Sequence, residues 1–115
     1  MKLQFLSGGR LNMRASVYDP DLPRDQRIDV PVVCALIRHA QGNVLFDTGC
    51  HPDVPANPEA RWGSLVRVMT PVFTPEDAVV AQLPKAGLSS SDIDVVVCSH
   101  LHADHCGCNL SLIHI

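Results

Sequence analysis

Three features of the sequence predict an α+β domain. Apolar, β-branched runs such as PVVCALIRH and IDVVVCS recur along the chain. Two of these runs, PVVCALIRH and NVLFDTG, are separated only by AQGN, whose Gly-Asn pair reads as a hairpin turn. Between and after them lie segments with helical spacing and helix-start signals rather than strict alternation.

Taken in order, KLQFLS reads as a short strand and SGGR as the turn into a second extended piece, RLNMRASVY. YDPDLPRDQ is polar and proline-containing, hence a loop, and the two hairpin strands follow. CHPDVPANP, with three prolines in nine residues, cannot be regular structure. EARWGSLVRVM carries a weak helical pattern, with Trp62, Leu65, Val66 and Met69 at three-four spacing. The next helix has a clearer start. Thr74 can cap it, Pro75 suits its first position, and Glu76 and Asp77 sit where the dipole favours anions. Val79, Val80 and Leu83 form its apolar side, and Pro84 ends it. The polar SSSDID leads into IDVVVCS, a run typical of a strand buried on both faces. No repeat, low-complexity tract or linker divides the chain.

At 115 residues the chain is one domain or part of one. An apolar content of 46% is that of a folded protein. Net charge is −3 and the nine Lys and Arg are scattered, which argues against a nucleic-acid face and a polybasic membrane patch. Apolar runs are too short for a transmembrane span, and MKLQFLSGGR has no export-signal core. Five cysteines are an odd number for such a chain, so reduced thiols in a cytoplasmic protein are expected.

The segment VVVCSHLHADHCGCN, residues 95–109, ends a valine run in a crowd of ligand-type side chains. In an extended segment alternate side chains share a face, so His100 and His102 can grip one metal ion. Asp104 and His105 lie where the chain turns and can aim at a second point nearby. Imidazole and carboxylate donors suit zinc, with manganese, iron or cobalt as alternatives. Two such ions, roughly 3.5–4 Å apart, would make an activated water available near neutral pH. The plain alternative is a cluster of solvated or hydrogen-bonded histidines.

SHLHADHCG matches the H-x-H-x-D-H signature of the metallo-β-lactamase fold superfamily, and NVLFDTG resembles the hairpin strand that precedes it there. FLSGGRLNMRASVY, ALIRHAQGNVLFDTGCHP and DIDVVVCSHLHADHCGCN together resemble the quorum-quenching branch of N-acyl-homoserine lactone hydrolases, over nearly all of residues 1–109. The resemblance implies the N-terminal half of an αββα sandwich, with one sheet, its covering helices and the first metal loop. It implies His100 and His102 as ligands of one metal, and Asp104 and His105 as ligands of the other. It also implies that Asp104 protonates the leaving alkoxide, and that Asp47 braces the ligand loop by hydrogen bonds. A turn-forming aspartate capping its own hairpin is the other reading of Asp47. The implied activity is hydrolysis of a small-molecule lactone or ester with two divalent ions, zinc foremost. The Asp-His pair also occurs in glyoxalase-type thiolester hydrolases and tRNA-processing nucleases, whereas many true β-lactamases depart from it after the aspartate. The lack of a basic face weighs against a nuclease. Oligomeric state is not legible.

Cys106 and Cys108 flank Gly107 and either pack under the ligand loop or bind zinc as a C-x-C pair. With His100, His102 and His105 they would make a purely structural metal module, a second class of function. Cys34 and Cys98 read as small apolar strand residues. His39 and His51 sit at loop edges, His51 close enough to the Asp-Thr-Gly turn to approach the site. Trp62 and Met69 pack a helix on the sheet or line substrate, and Met13, by analogy with lactonases, lines an acyl pocket. Residues 110–115, LSLIHI, match the translation of CTGTCTCTTATACACATC, a sequencing-adapter end. They are expected to be a non-native, poorly packed tail on a truncated and inactive piece, and His114 is assigned no role.

Overall fold

A computed structural model describes residues 1–112, and one five-stranded sheet organises them. β1 (Lys2–Arg14) pairs antiparallel with β2 (Arg27–His39), and β2 with β3 (Gly42–Phe46). The hairpin turn is Ala40–Gln41, a step before the expected Gly-Asn pair, because His39 already faces Gly42 across the ladder. The short β4 (Met69–Pro71) joins β1, and β5 (Val95–Val97) runs parallel to β3, giving the order β4-β1-β2-β3-β5. The crossover from β3 to β5 carries α1 (Pro58–Trp62) and α2 (Val79–Gln82), and α3 (Asn109–Leu112) follows the histidine-rich loop.

The glycine pair near the start does not turn the chain. β1 runs straight through it, and its register slips between Ser7 and Gly9 in a β-bulge. Leu6 and Leu11 are an odd number of residues apart, so an unbroken strand would put them on opposite faces. The extra residue returns both to one buried face. The break in alternation is real, and a bulge resolves it where the sequence pointed to a turn.

On that face Leu6, Cys34, Leu36 and Leu45 are covered by Val79, Leu83, Ile93 and Cys108. Leu11, Met13 and Val32 meet Cys50, Val54, Trp62, Met69 and Phe73 in a second cluster. Burying a leucine such as Leu36 or Leu45 completely contributes about 2 kcal/mol. The expected single helix from Thr74 does not form: Thr74 caps only a 3-10 turn at Pro75–Asp77, where the Asp77 carboxylate accepts the Thr74 N–H at 2.9 Å. Extended Ala78 (ψ 145°) separates that turn from α2, which stops just before Pro84. The helix over Trp62 is shorter than its spacing implies. Gly63 leaves helical space at φ 54°, and Met69 reaches the core from β4 instead.

The opposite face has no cover among the described residues. Phe5, Ala35, Phe46 and Val97 form one cross-strand row, and Leu3, Ile37, Val44 and Val95 the next. Phe5 is 69% exposed. Only Val96 of the valine run packs inward; β5 is therefore buried on one face and not on both. A continuous apolar face calls for a second layer. The polypeptide 1–115 expressed alone is expected to self-associate as its concentration rises, and a Phe5→Lys, Phe46→Lys pair to suppress this. Light scattering checks it; a wild-type polypeptide that stays monomeric would contradict it.

Contrary to the expected loose tail, α3 seats Leu112 in the first cluster, while Leu110 stays exposed. His114 lies outside the described residues. Among the described residues no helix is long and apolar enough to cross a membrane.

Candidate metal centre

β3 and β5 are parallel neighbours with Phe46 opposite Val97, so the segments that follow them leave the same end of the sheet together. Backbone hydrogen bonds extend the ladder outward. The Asp47 N–H donates to the Val97 carbonyl (2.7 Å), Thr48 to His105 (2.8 Å) and Gly107 to Gly49 (2.8 Å), while the Cys50 N–H reaches back to Gly8 (2.8 Å). The histidine loop is thus laid against the Asp-Thr-Gly segment, which is laid against the β1 bulge.

These backbones come too close for side chains. A Cβ on Gly49 would lie 2.5 Å from the Gly8 Cα, and one on Gly107 would lie 2.5 Å from the His51 nitrogen. Gly49 also has φ 66°, a conformation that L side chains resist. Gly49→Ala should cost about 1–3 kcal/mol from overpacking and about 1–2 kcal/mol more from the left-handed backbone. Urea denaturation measures this, and a cost below about 1 kcal/mol would mean the two segments are not held this closely.

The ligand-type side chains fall into two pairs. His100 Nε2 lies 3.1 Å from His102 Nδ1, and His105 Nε2 lies 3.4 Å from Asp104 Oδ2. The pairs adjoin, with the His100 and His105 ring centroids 4.0 Å apart. A cation bound at about 2.0–2.2 Å from each donor can bridge such a pair. Among the described residues no three such side chains surround one point. Donor type and spacing fit zinc, and each ion would need further donors.

Asp47 stands behind the second pair, against His105. It is a buried non-glycine residue with φ 59°, a costly backbone state that its surroundings enforce. Oδ1 accepts the Ser99 N–H (2.7 Å), and Oδ2 accepts the Ser99 hydroxyl (2.8 Å) and faces His105 Nδ1 (2.8 Å). Burial alone would raise its pKa. Hydrogen bonds from His105 and from the Ser99 amide and hydroxyl outweigh that and hold it below the ordinary carboxylate value. The carboxylate therefore bonds across the loop and does not cap its own hairpin.

Sequence reasoning passed over three residues here. The Ser99 hydroxyl also lies 3.0 Å from His100 Nδ1. Fully buried Thr48 donates its hydroxyl to Asn109 Oδ1 (2.8 Å) and accepts the Cys108 N–H (3.2 Å). A signal for Thr48 was its place inside Asp-Thr-Gly; Ser99 and Asn109 carried none beyond adjacency to the motif.

The cysteines do not join the histidines. The Cys108 thiol is buried and donates to the Cys50 carbonyl (3.2 Å), and that of Cys106 donates to the Leu101 carbonyl (3.5 Å). Burial pushes the Cys34 thiol up to about 12 and that of Cys108 up to about 11, so both stay protonated and poor ligands at neutral pH. Cys34 is a core residue of β2, whereas Cys98 lies just past β5, half-buried beside Asn109. His39 accepts the Gln41 N–H (3.2 Å) and His51 the Asp53 N–H (3.1 Å), each inside its own turn. Trp62 and Met69 are core residues. Met13, Leu11, Tyr18 and Val32 line a cavity of about 210 Å³ that Asp104 and His105 also border.

The α+β sheet thus presents histidine and carboxylate pairs beyond adjacent parallel strands. The profile of the metallo-beta-lactamase superfamily matches residues 27–115, and the chain belongs to that superfamily. Among curated relatives, an N-acyl homoserine lactonase of a Bacillus species is 34% identical over 98% of this chain and 46% of its own length. The N-acyl homoserine lactonase AttM of Azorhizobium caulinodans is 31% identical over 93% of this chain and 41% of its own. A solved N-acyl homoserine lactone hydrolase, with N-hexanoyl-L-homoserine at its catalytic metal centre, superposes with a TM-score of 0.85 at 31% identity. It is matched by 96% of this chain over 45% of its own. A variant of the B. thuringiensis enzyme AiiA, with N-decanoyl-L-homoserine bound, gives a TM-score of 0.86 at 31% identity, over 98% of this chain and 46% of its own. The chain thus has the N-terminal half of the metallo-β-lactamase fold, and spans less than half the length of these relatives.

Proposed function

We propose that residues 1–109 are the N-terminal part of a cytoplasmic lactone hydrolase acting on N-acyl homoserine lactones. The observation that carries the reading is the side-by-side placement of two donor pairs, with buried Asp47 against His105 of one of them. The relatives' names supply the substrate class.

In this reading His100 and His102 hold one divalent ion, and Asp104 and His105 the other. The ions, zinc by donor type, supply Lewis acidity and activated water when bound. Asp47 fixes the orientation of His105 by taking its Nδ1–H. Asp104 takes the proton released as water adds to the acyl carbon and passes it to the ring oxygen as the acyl C–O bond breaks, so that the lactone and one water become a hydroxy acid. Met13, Leu11 and Tyr18 receive the first carbons of the acyl chain in the cavity beside Asp104. With two donors per ion, the polypeptide 1–115 alone is expected to show no turnover.

The test is a panel of N-acyl homoserine lactones given to the longer protein that contains this segment, with acid release followed by pH-stat. Ring opening at steady turnover supports the reading. Cleavage of a glutathione thiolester with no lactone opened would replace it with a glyoxalase-type activity. Stable metal binding with neither activity would favour a structural module.

A further inference from the structure

We propose that Ser99 is a positioning residue whose hydroxyl extends the hold of Asp47 to His100, so that one buried carboxylate orients a ligand in each donor pair. The proposal rests on the metal reading above and concerns a residue outside the donor set.

Hydrogen counting leads to it. Ionised Asp47 can only accept, and the Ser99 hydroxyl has a single hydrogen to give. At 2.8 Å from Asp47 Oδ2, that hydrogen goes to the carboxylate. His100 Nδ1, 3.0 Å from the same hydroxyl oxygen, must then be the donor of the second contact. A neutral ring with its hydrogen on Nδ1 has its lone pair on Nε2, and Nε2 is the atom that faces His102 Nδ1 at 3.1 Å. His105 reaches the same state without an intermediary. Its Nδ1 lies 2.8 Å from Asp47 Oδ2, which leaves Nε2 turned towards Asp104. The same oxygen therefore sets the tautomer in both pairs, directly in one and through Ser99 in the other.

Ser99 is a clean place to test this. Its amide makes a separate bond to Asp47 Oδ1 at 2.7 Å, so the backbone stays tied when the hydroxyl is removed. The residue is exposed, so the side chain contributes little to packing. Without the hydroxyl, His100 is free to carry its hydrogen on Nε2, where it would point at the metal position.

The experiment is a zinc titration of the longer protein against a competing chelator, resolving the two binding steps in wild type, Ser99→Ala and Ser99→Thr. Ser99→Ala should weaken one step by about 10–100-fold and leave the other nearly unchanged, with Ser99→Thr restoring it. Long-range nitrogen-proton NMR of the metal-free protein should show His100 losing its Nδ1–H form in Ser99→Ala alone. Equal affinities in wild type and Ser99→Ala would overturn the proposal. So would a parallel loss at both steps, failure of threonine to restore binding, or unfolding of Ser99→Ala, which would make the residue structural. Wild-type protein that takes up no zinc would overturn the metal reading itself, and is told apart by needing no variant.

Discussion

Asp104→Asn is expected to lower lactone-opening turnover by about 10²–10⁴-fold, the usual contribution of a positioned acid or base. The substitution keeps the side chain's size and its place 3.4 Å from His105 Nε2, so the loop should hold its shape. What it removes is the negative charge and the transferable proton. An amide is a weaker donor to a divalent cation than a carboxylate, and it cannot protonate a leaving alkoxide. Steady-state kinetics on one lactone, with circular dichroism as the control for folding, measures the effect. Turnover equal to wild type would remove Asp104 from both roles.

Asp47→Asn should reduce metal affinity by about 10–100-fold without unfolding the protein. Asparagine tolerates the left-handed backbone at φ 59° almost as well as aspartate. Its carbonyl can still accept the Ser99 N–H that now bonds Oδ1. Its amide nitrogen, however, would stand where Oδ2 now faces His105 Nδ1 and the Ser99 hydroxyl, and would confront two donors with a third. His105 must turn away or move its hydrogen to Nε2, the atom facing Asp104. Asp47→Ala should be worse in a different way, losing stability as well, since buried donors are left without partners and the backbone strain has no tolerant side chain. Zinc titration separates the two variants from wild type, and urea melts separate them from each other. Equal zinc affinity in Asp47→Asn and wild type would show that the carboxylate braces nothing.

Much of this site was legible because metal-ligand chemistry leaves a local signature. Four ligand-type residues between 100 and 105, directly after a valine run, need no tertiary knowledge to be noticed. Asp47 was legible through its Asp-Thr-Gly context, which a glycine demand at Gly49 explains. Ser99 was not, because a serine's partners lie 52 residues away in Asp47 and one residue away in His100, and only the fold brings the two together. The fold shows the same divide. The hairpin and the cap at Thr74 are local and were readable, but the cap serves a separate 3-10 turn and extended Ala78 interrupts the helix expected from it. The bulge was misread as a turn because the same glycines serve either purpose, and only pairing with β2 decides. The valine run of β5 implied burial on both faces, yet Val95 and Val97 lie open beside Val44 and Phe46. A strand's composition records the packing it is suited to, and the covering layer for this face is not among the described residues.

The most direct measurement of the central reading is the metal content of the longer protein, purified without added metal and dialysed, then assayed by mass spectrometry beside variants that each break one pair. Two ions per chain are predicted in wild type, with His102→Ala and His105→Ala each removing one in preference to the other. One ion or none per wild-type chain in a protein that opens lactones would contradict the pairing of His100 with His102 and of Asp104 with His105.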